Sequence, residues 1–280
     1  MAGGWEEMTT SGLKCSTILL LYNEEGNVRI QTQEVLDSYK NHGINGEILL
    51  IDDGSEDSSP MICDEMAERY KAVRAIHHNP NKGRSFAIKT GFMEAKGEIS
   101  IIMDADRQYD ADEIPRFIEK IEEGWDVVSG NRVTRKDDAI RRFISRTYNK
   151  WIIGRSIGMD IKDQNSGFKA FTDEAAKNMW FEPEGYLGLH RFILPLAAFS
   201  GYSITEIPIK HLDRPEGKSY IKFYSVPLIT LRDYRKLRKQ LKLLKKQKEQ
   251  SETERRAEGN REKSRVKQME EPSETEGRTE

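Results

Sequence analysis

Asp104 and Asp106 stand two residues apart at the end of the apolar run Ile99–Met103, and Gln108 follows two residues later. In an extended chain alternate residues share a face, so two carboxylates and an amide can converge on one point. Like charges held together at a strand end repel unless a cation joins them. Mg²⁺ or Mn²⁺ meets that need, being hard, oxygen-ligated and commonly held by one or two carboxylates plus substrate phosphates. The same spacing also serves as a capping turn ahead of a helix starting at Ile114, so spacing alone leaves both readings open.

Two more strand-like runs end in acidic residues. Ser16–Leu21 is followed by Tyr22, Asn23, Glu24 and Glu25, and Ile48–Ile51 by Asp52, Asp53, Gly54 and Ser55. Asn81-Lys82-Gly83-Arg84-Ser85 is a small polar turn leading into a helical pattern, a weak anion-site signal by itself. Residues 132–155 hold eight Lys/Arg and two Asp, with Arg132 just after a strand-like run and Arg141 and Ser145 four apart on a predicted helix. An arginine group of that kind reads either as a phosphate site or as a solvated helix face.

These residues need a scaffold, and the pattern of apolar runs supplies one. Strands are predicted at Ser16–Tyr22, Glu47–Asp52, Val73–His77, Ile99–Asp104, Asp126–Gly130 and Ile204–Ile209. Helices are predicted at Val28–Tyr39, Met61–Tyr70, Ser85–Ala95 and Ile114–Glu123. Strand–helix alternation of this kind gives an α/β fold with a mostly parallel sheet covered by helices on both faces. Ligands of such sheets bind beyond the carboxyl ends of the strands, where the three acidic clusters lie.

Charge divides the chain further. The whole carries 45 basic and 47 acidic residues, but residues 221–248 are +9, residues 249–280 are −3, and the first 220 are −8. Leu228, Leu231, Tyr234, Leu237, Leu241 and Leu244 recur every three or four residues within the basic stretch. That is an amphipathic basic helix suited to an anionic membrane surface, with a coiled-coil partner or a nucleic acid as the other readings. The acidic body argues against nucleic acid. Residues 249–280 hold too few apolar side chains to fold and are expected to be disordered. No apolar run approaches the ~18–20 residues of a membrane span, and the N-terminus lacks a signal-peptide pattern. Cys15 and Cys63 read as buried free thiols of a reducing compartment. The expected organisation is a flexible stretch at 1–14, a catalytic domain at 15–220, the basic helix at 221–248 and the tail at 249–280.

From about Thr17 to Phe223 the sequence resembles the family 2 glycosyltransferases of GT-A (Rossmann-like) fold, especially the dolichyl-phosphate mannose synthase and polyprenyl-phosphate glycosyltransferase branch. The motifs that carry the resemblance occur in order: Tyr22-Asn23-Glu24-Glu25, Ile51-Asp52-Asp53-Gly54-Ser55, Asn81-Lys82-Gly83, Asp104-Ala105-Asp106-Arg107-Gln108, Asp163-Gln164-Asn165-Ser166-Gly167-Phe168 and Arg214-Pro215-Glu216-Gly217-Lys218-Ser219. The resemblance implies that Leu20, Tyr22, Glu24, Ile51, Asp53, Asp104, Ala105, Asp106, Arg214 and Lys218 bind the nucleotide sugar. It implies that Asp104, Asp106 and Gln108 hold Mg²⁺ or Mn²⁺, and that Arg132, Arg141 and Ser145 bind the acceptor phosphate. Asp104, Asp106 and Arg132 are then the catalytic group. His190, in a segment similar to some relatives, reads as structural.

The chemistry so implied is inverting transfer of a hexose, mannose or glucose, from GDP-mannose or UDP-glucose to dolichyl or polyprenyl phosphate, supplying lipid-linked sugar for glycosylation. The alternative is transfer to a saccharide or lipid-linked glycan hydroxyl by the same fold. A phosphate acceptor is already anionic at neutral pH, whereas a hydroxyl acceptor needs a general base. The expected location is the cytoplasmic face of a membrane, held peripherally, with a membrane-embedded subunit as a further candidate partner.

Overall fold

The structure is a computed structural model that describes residues 12–133, 161–213, 228–246 and 250. The chain divides into two units, residues 1–224 and 225–280.

In the first unit the elements run β1 (Cys15–Leu21), α1 (Val28–His42), β2 (Gly46–Asp52), α2 (Ser59–Arg69), β3 (Val73–His77), α3 (Arg84–Glu94) and β4 (Ile99–Asp104). A 3₁₀ turn at Ala111–Glu113 leads into α4 (Ile114–Glu122) and β5 (Val127–Arg132). Then come β6 (Lys169–Thr172), α5 (Asp173–Asn178), a 3₁₀ turn at Leu189–Phe192, α6 (Ile193–Phe199) and β7 (Ile204–Ile209). All six predicted strands and four predicted helices form, with ends shifted by at most three residues.

Among the described residues seven strands join in one sheet, ordered β3-β2-β1-β4-β6-β5-β7. β1 and β2 are buried along their whole length, as expected of near-continuous apolar strands covered on both faces. The register puts Leu21 beside Asp52 and Leu20 beside Asp104, so the carboxyl ends of β2, β1 and β4 form one edge, level to within a residue. β6 runs antiparallel to both β4 and β5. An antiparallel strand starts where its neighbours end, so the Asp163–Phe168 segment ahead of β6 arrives at that same edge. Here the sequence reading missed an element: four residues headed by a lysine are too few to show alternation.

α4 shows how the edge is held. Ile114, Phe117, Ile118 and Ile121 form its buried stripe at helical spacing. Phe117 stacks on Phe168 with ring centroids 4.2 Å apart, and Tyr109 meets the same ring edge-on at 5.6 Å. These contacts pin the segment ahead of β6 beside the end of β4. Cys15 and Cys63 are buried and free, and burial pushes the Cys15 thiol up to about 12.

In the second unit residues 228–246 form a helix. Its leucines do not share one environment, contrary to the stripe read from the sequence. Leu228 is 72% exposed and Leu231 is exposed, whereas Leu237 is buried together with Thr230 and Asp233. The leucine spacing averages below 3.6, so on a straight helix it drifts, leaving Leu228 and Leu244 about 160° apart. Arg232, Arg235, Lys239, Lys242 and Lys246 occupy exposed positions. No described helix is long and apolar enough to cross a membrane.

Candidate active site

Asp104 ends β4 at the carboxyl edge, and its two oxygens meet different surroundings. Arg84, the first residue of α3, forms an ion pair with Oδ1. That oxygen is buried, and no well-aligned hydrogen-bond donor reaches it among the described residues, so its partner is the guanidinium charge. On the other side the chain at Gly167 passes so close that a Cβ there would lie 2.1 Å from Oδ2. Tyr109 secures that approach by accepting a 2.7 Å hydrogen bond from the Gly167 amide. Burial works against the charged Arg84, but the Asp104 carboxylate on it, with Asp106 adding to the same field, outweighs that and raises its pKa.

Asp106 accepts a hydrogen bond from the Gln108 amide at 3.2 Å, which curls the motif into a tight turn. Arg107 takes a positive φ of 58° in that turn. Gln108 in turn pairs with Leu212 just beyond β7: its carbonyl accepts from the Leu212 amide at 2.9 Å, and Nε2 donates to the Leu212 carbonyl at 3.3 Å. The candidate metal motif is thereby tied to the chain two residues before Arg214.

The first two acidic loops are stitched together. The Asn23 amide donates to Ser55 Oγ and the Glu56 amide to Asn23 Oδ1, both at 2.8 Å. The Glu24 amide donates to Ser59 Oγ, while its buried carboxylate accepts from Asn27 Nδ2. Tyr22 sits half-buried at this joint. Leu20, Ile51 and Ala105 are buried, and the Ala105 amide bonds the Leu20 carbonyl at 3.1 Å.

Asp53 is turned into the protein rather than presented at the edge. Its carboxylate accepts from the Lys82 amide (3.0 Å) and the Gly83 amide (2.9 Å), and contacts His78 Nδ1 at 2.8 Å. His78 Nε2 continues to Thr90 on α3 at 2.9 Å. Gly83 has φ of 91°, a conformation glycine adopts without strain, immediately before Arg84. Asp53 therefore fixes the turn that aims Arg84 at Asp104. His190 braces the same helix start, with Nδ1 at 3.1 Å from Ser85 Oγ and its amide donating to that oxygen at 3.0 Å. Burial, with Arg191, Arg84 and Lys169 nearby, holds its pKa well below the usual histidine value, so His190 braces the helix start as a neutral imidazole.

Arg132 lies at the end of β5, and its guanidinium is engaged within the chain. Nε and Nη2 grip the two oxygens of Asp163 at 2.6 and 2.9 Å, with both side chains 9% exposed. Glu206 on β7 accepts from the Asp163 and Lys162 amides at 2.9 and 2.8 Å, anchoring the acid's backbone. Lys169, 2% exposed at the start of β6, donates to the Ser166 carbonyl. Burial is the main reason its pKa is pushed down to about 7, against the pull of Asp163 and with the added push of Arg132 and Arg84. Arg84, Asp163 and Lys169 are the members of this group that the sequence reading did not assign to the site. The clue was available for Lys169, a charged residue set between Phe168 and the apolar pair Ala170-Phe171. Arg141, Ser145, Arg214 and Lys218 lie outside the described residues.

The donor set fits a hard divalent cation. Two carboxylates and an amide stand at one strand end, one carboxylate oxygen is buried with only a cation against it, and a glycine keeps the cradle open. Among the described residues no three His, Cys, Asp or Glu side chains gather as a complete metal cage. A cation held by one or two carboxylates and completed by substrate phosphates needs no such cage.

Residues 16–184 match the protein family described as Glycosyl transferase family 2, well over half of the chain. The chain belongs to that family. Among curated proteins it is 34% identical over 220 residues to an undecaprenyl-phosphate 4-deoxy-4-formamido-L-arabinose transferase of Edwardsiella ictaluri, a match covering 77% of this chain and 65% of that protein. A protein of the same name from Shewanella sediminis is 34% identical, covering 75% and 62%. The chain thus spans a little under two thirds of the length of these relatives. Glucosyl-3-phosphoglycerate synthase of Mycobacterium tuberculosis superposes with a TM-score of 0.56 at 18% identity, covering 74% of this chain and 75% of that one. A mannosyltransferase from Pyrobaculum calidifontis, solved with GDP-mannose and Mn²⁺, gives 0.56 at 17%, covering 78% and 62%. At such identities these neighbours establish the shared GT-A fold.

Proposed function

We propose that this family 2 chain is a metal-dependent glycosyltransferase that moves a sugar from a nucleotide diphosphate sugar to a polyprenyl phosphate. The observation that carries the reading is the carboxyl edge where Asp104, two residues before Asp106, meets Gly167 of the Asp163–Phe168 segment, in a chain whose curated relatives are named for undecaprenyl phosphate. A divalent cation held by Asp104, Asp106 and Gln108 would stabilise charge gathering on the departing diphosphate.

The chain's own residues do the rest. The joined loops at Tyr22–Asn23 and Ser55–Glu56 would seat the nucleoside, as the resemblance implies, and Asp53 positions the Asn81–Gly83 turn from behind. Arg214 and Lys218 are proposed to bind the nucleotide sugar, and Arg132, Arg141 and Ser145 to receive the acceptor phosphate. Because that acceptor is already anionic, bringing it to the donor is mainly a problem of charge, which arginines solve without a general base. The donor sugar is proposed to be a hexose, with GDP-mannose or UDP-glucose the first to test. The amino sugar in the curated relatives' names is the comparison donor. Residues 221–248 are proposed to rest on an anionic membrane at its cytoplasmic face through their cationic side.

A panel of nucleotide sugars with a short polyprenyl phosphate and Mg²⁺ or Mn²⁺, read by mass spectrometry, tests the reading. A polyprenyl-phosphate sugar lost in Asp106→Asn is expected. Absence of any such product across the panel would overturn it.

A further inference from the structure

Arg84 is unusual in where its charge is placed. It follows the Gly83 turn, whose amide is held by the buried Asp53 carboxylate, so its backbone is fixed from behind. Its guanidinium sits on Asp104 Oδ1, the buried oxygen that no other described donor reaches. Oδ2 of the same carboxylate is walled by the Gly167 backbone. A divalent cation approaching Asp104 therefore meets a positive charge already in place.

We propose that Arg84 is the resident counter-ion of Asp104, an internal cation that an entering divalent metal must displace. This rests on the reading of Asp104 and Asp106 as metal-holding residues and adds to it an order of events. Displacing a guanidinium from a carboxylate oxygen shielded from water is unfavourable until another anion replaces it. A nucleotide diphosphate supplies one, because a planar guanidinium binds phosphate oxygens as readily as carboxylate oxygens. Arg84 thus keeps the donor-free site weak for free metal and makes metal and donor enter together. In that role its partner changes from Asp104 to the donor.

Mn²⁺ alone is the probe, its binding to the full chain followed by loss of the free-ion electron paramagnetic resonance signal. Arg84→Gln is expected to bind Mn²⁺ about tenfold more tightly than the wild type without nucleotide, the lower end for removing a close charge pair. Arg84→Lys stays near wild type, and added UDP or GDP narrows the difference. Equal or weaker Mn²⁺ binding by Arg84→Gln, with binding still lost in Asp104→Asn, overturns the inference and leaves the metal site standing. Mn²⁺ binding that survives Asp104→Asn removes the metal reading itself. A measurement on the unmodified chain covers the case in which Arg84→Gln does not fold. Saturating Mn²⁺ should speed phenylglyoxal modification of Arg84, mapped by peptide mass spectrometry, and an unchanged or slower rate overturns the inference.

Discussion

Gly167 and Asp104 fit together only because residue 167 has no side chain: a Cβ there would lie 2.1 Å from Asp104 Oδ2. The obstacle is a carboxylate held by Arg84 on its other oxygen, so it has little room to move. Gly167→Ala should displace the carboxylate while leaving the sheet intact. A misplacement on the ångström scale costs about 10²-fold in rate. Transferase kcat/KM is expected to fall by about that factor with unchanged far-ultraviolet circular dichroism, and a variant as active as the wild type would remove Asp104 from the site.

The Arg132–Asp163 pair separates two roles for one arginine. The sequence resemblance places Arg132 at the acceptor phosphate, while the structure engages its Nε and Nη2 with a buried carboxylate. Removing one member of a buried pair costs about 3–5 kcal/mol, because the other charge is left uncompensated. Arg132→Met should therefore lower stability by about that amount in urea unfolding, and Arg132→Met/Asp163→Leu should recover much of it. A fully stable Arg132→Met with weakened acceptor use would show that the pair opens for the acceptor.

Lys169 predicts a pH dependence of stability. Its pKa is lowered by burial to about 7 in the folded chain, from an ordinary 10.5. Between those values the unfolded chain binds a proton that the folded chain does not, so stability rises with pH. Below about pH 7 both states are charged and the contribution is flat. Urea unfolding from pH 7 to 10 should show a slope of up to about 1.4 kcal/mol per pH unit that Lys169→Met lacks. Parallel slopes for the two proteins would contradict the buried, neutral lysine.

Much of this is legible in the sequence alone. The strands β1, β2 and β4 are apolar runs, each ended by acidic residues, and their parallel register places those ends level to within a residue. β6 was not legible, because four residues carry no periodicity, and with it went the antiparallel turn that delivers Gly167 to Asp104. The use of Asp53 was also hidden. A motif tells that a carboxylate stands after a strand, but not that the Lys82 and Gly83 amides and His78 occupy it. Arg84 was visible as part of a basic turn, yet its pairing with Asp104 depends on how α3 and β4 lie together. The leucines of residues 228–244 look like one face in the sequence because drift around a helix is small per turn and accumulates only over several.

That drift sharpens the membrane expectation. The exposed side of the helix carries Arg235, Lys239 and Lys242, so charge should matter there more than the leucine stripe. Each cation near an anionic bilayer contributes roughly 1 kcal/mol. Reversing all three to Glu should release the chain from phosphatidylserine vesicles in a sedimentation assay while leaving transfer to a short, soluble polyprenyl phosphate unchanged. Undiminished sedimentation would show that another surface binds the bilayer.

The most direct measurement offers one active donor, with Mn²⁺, to a short polyprenyl phosphate and to the corresponding unphosphorylated alcohol in parallel, with products resolved by mass spectrometry. The account predicts glycosylation of the phosphate alone, abolished in Asp106→Asn and weakened in Arg141→Ala. Equal transfer to the alcohol, or product formation independent of Asp106, would contradict it.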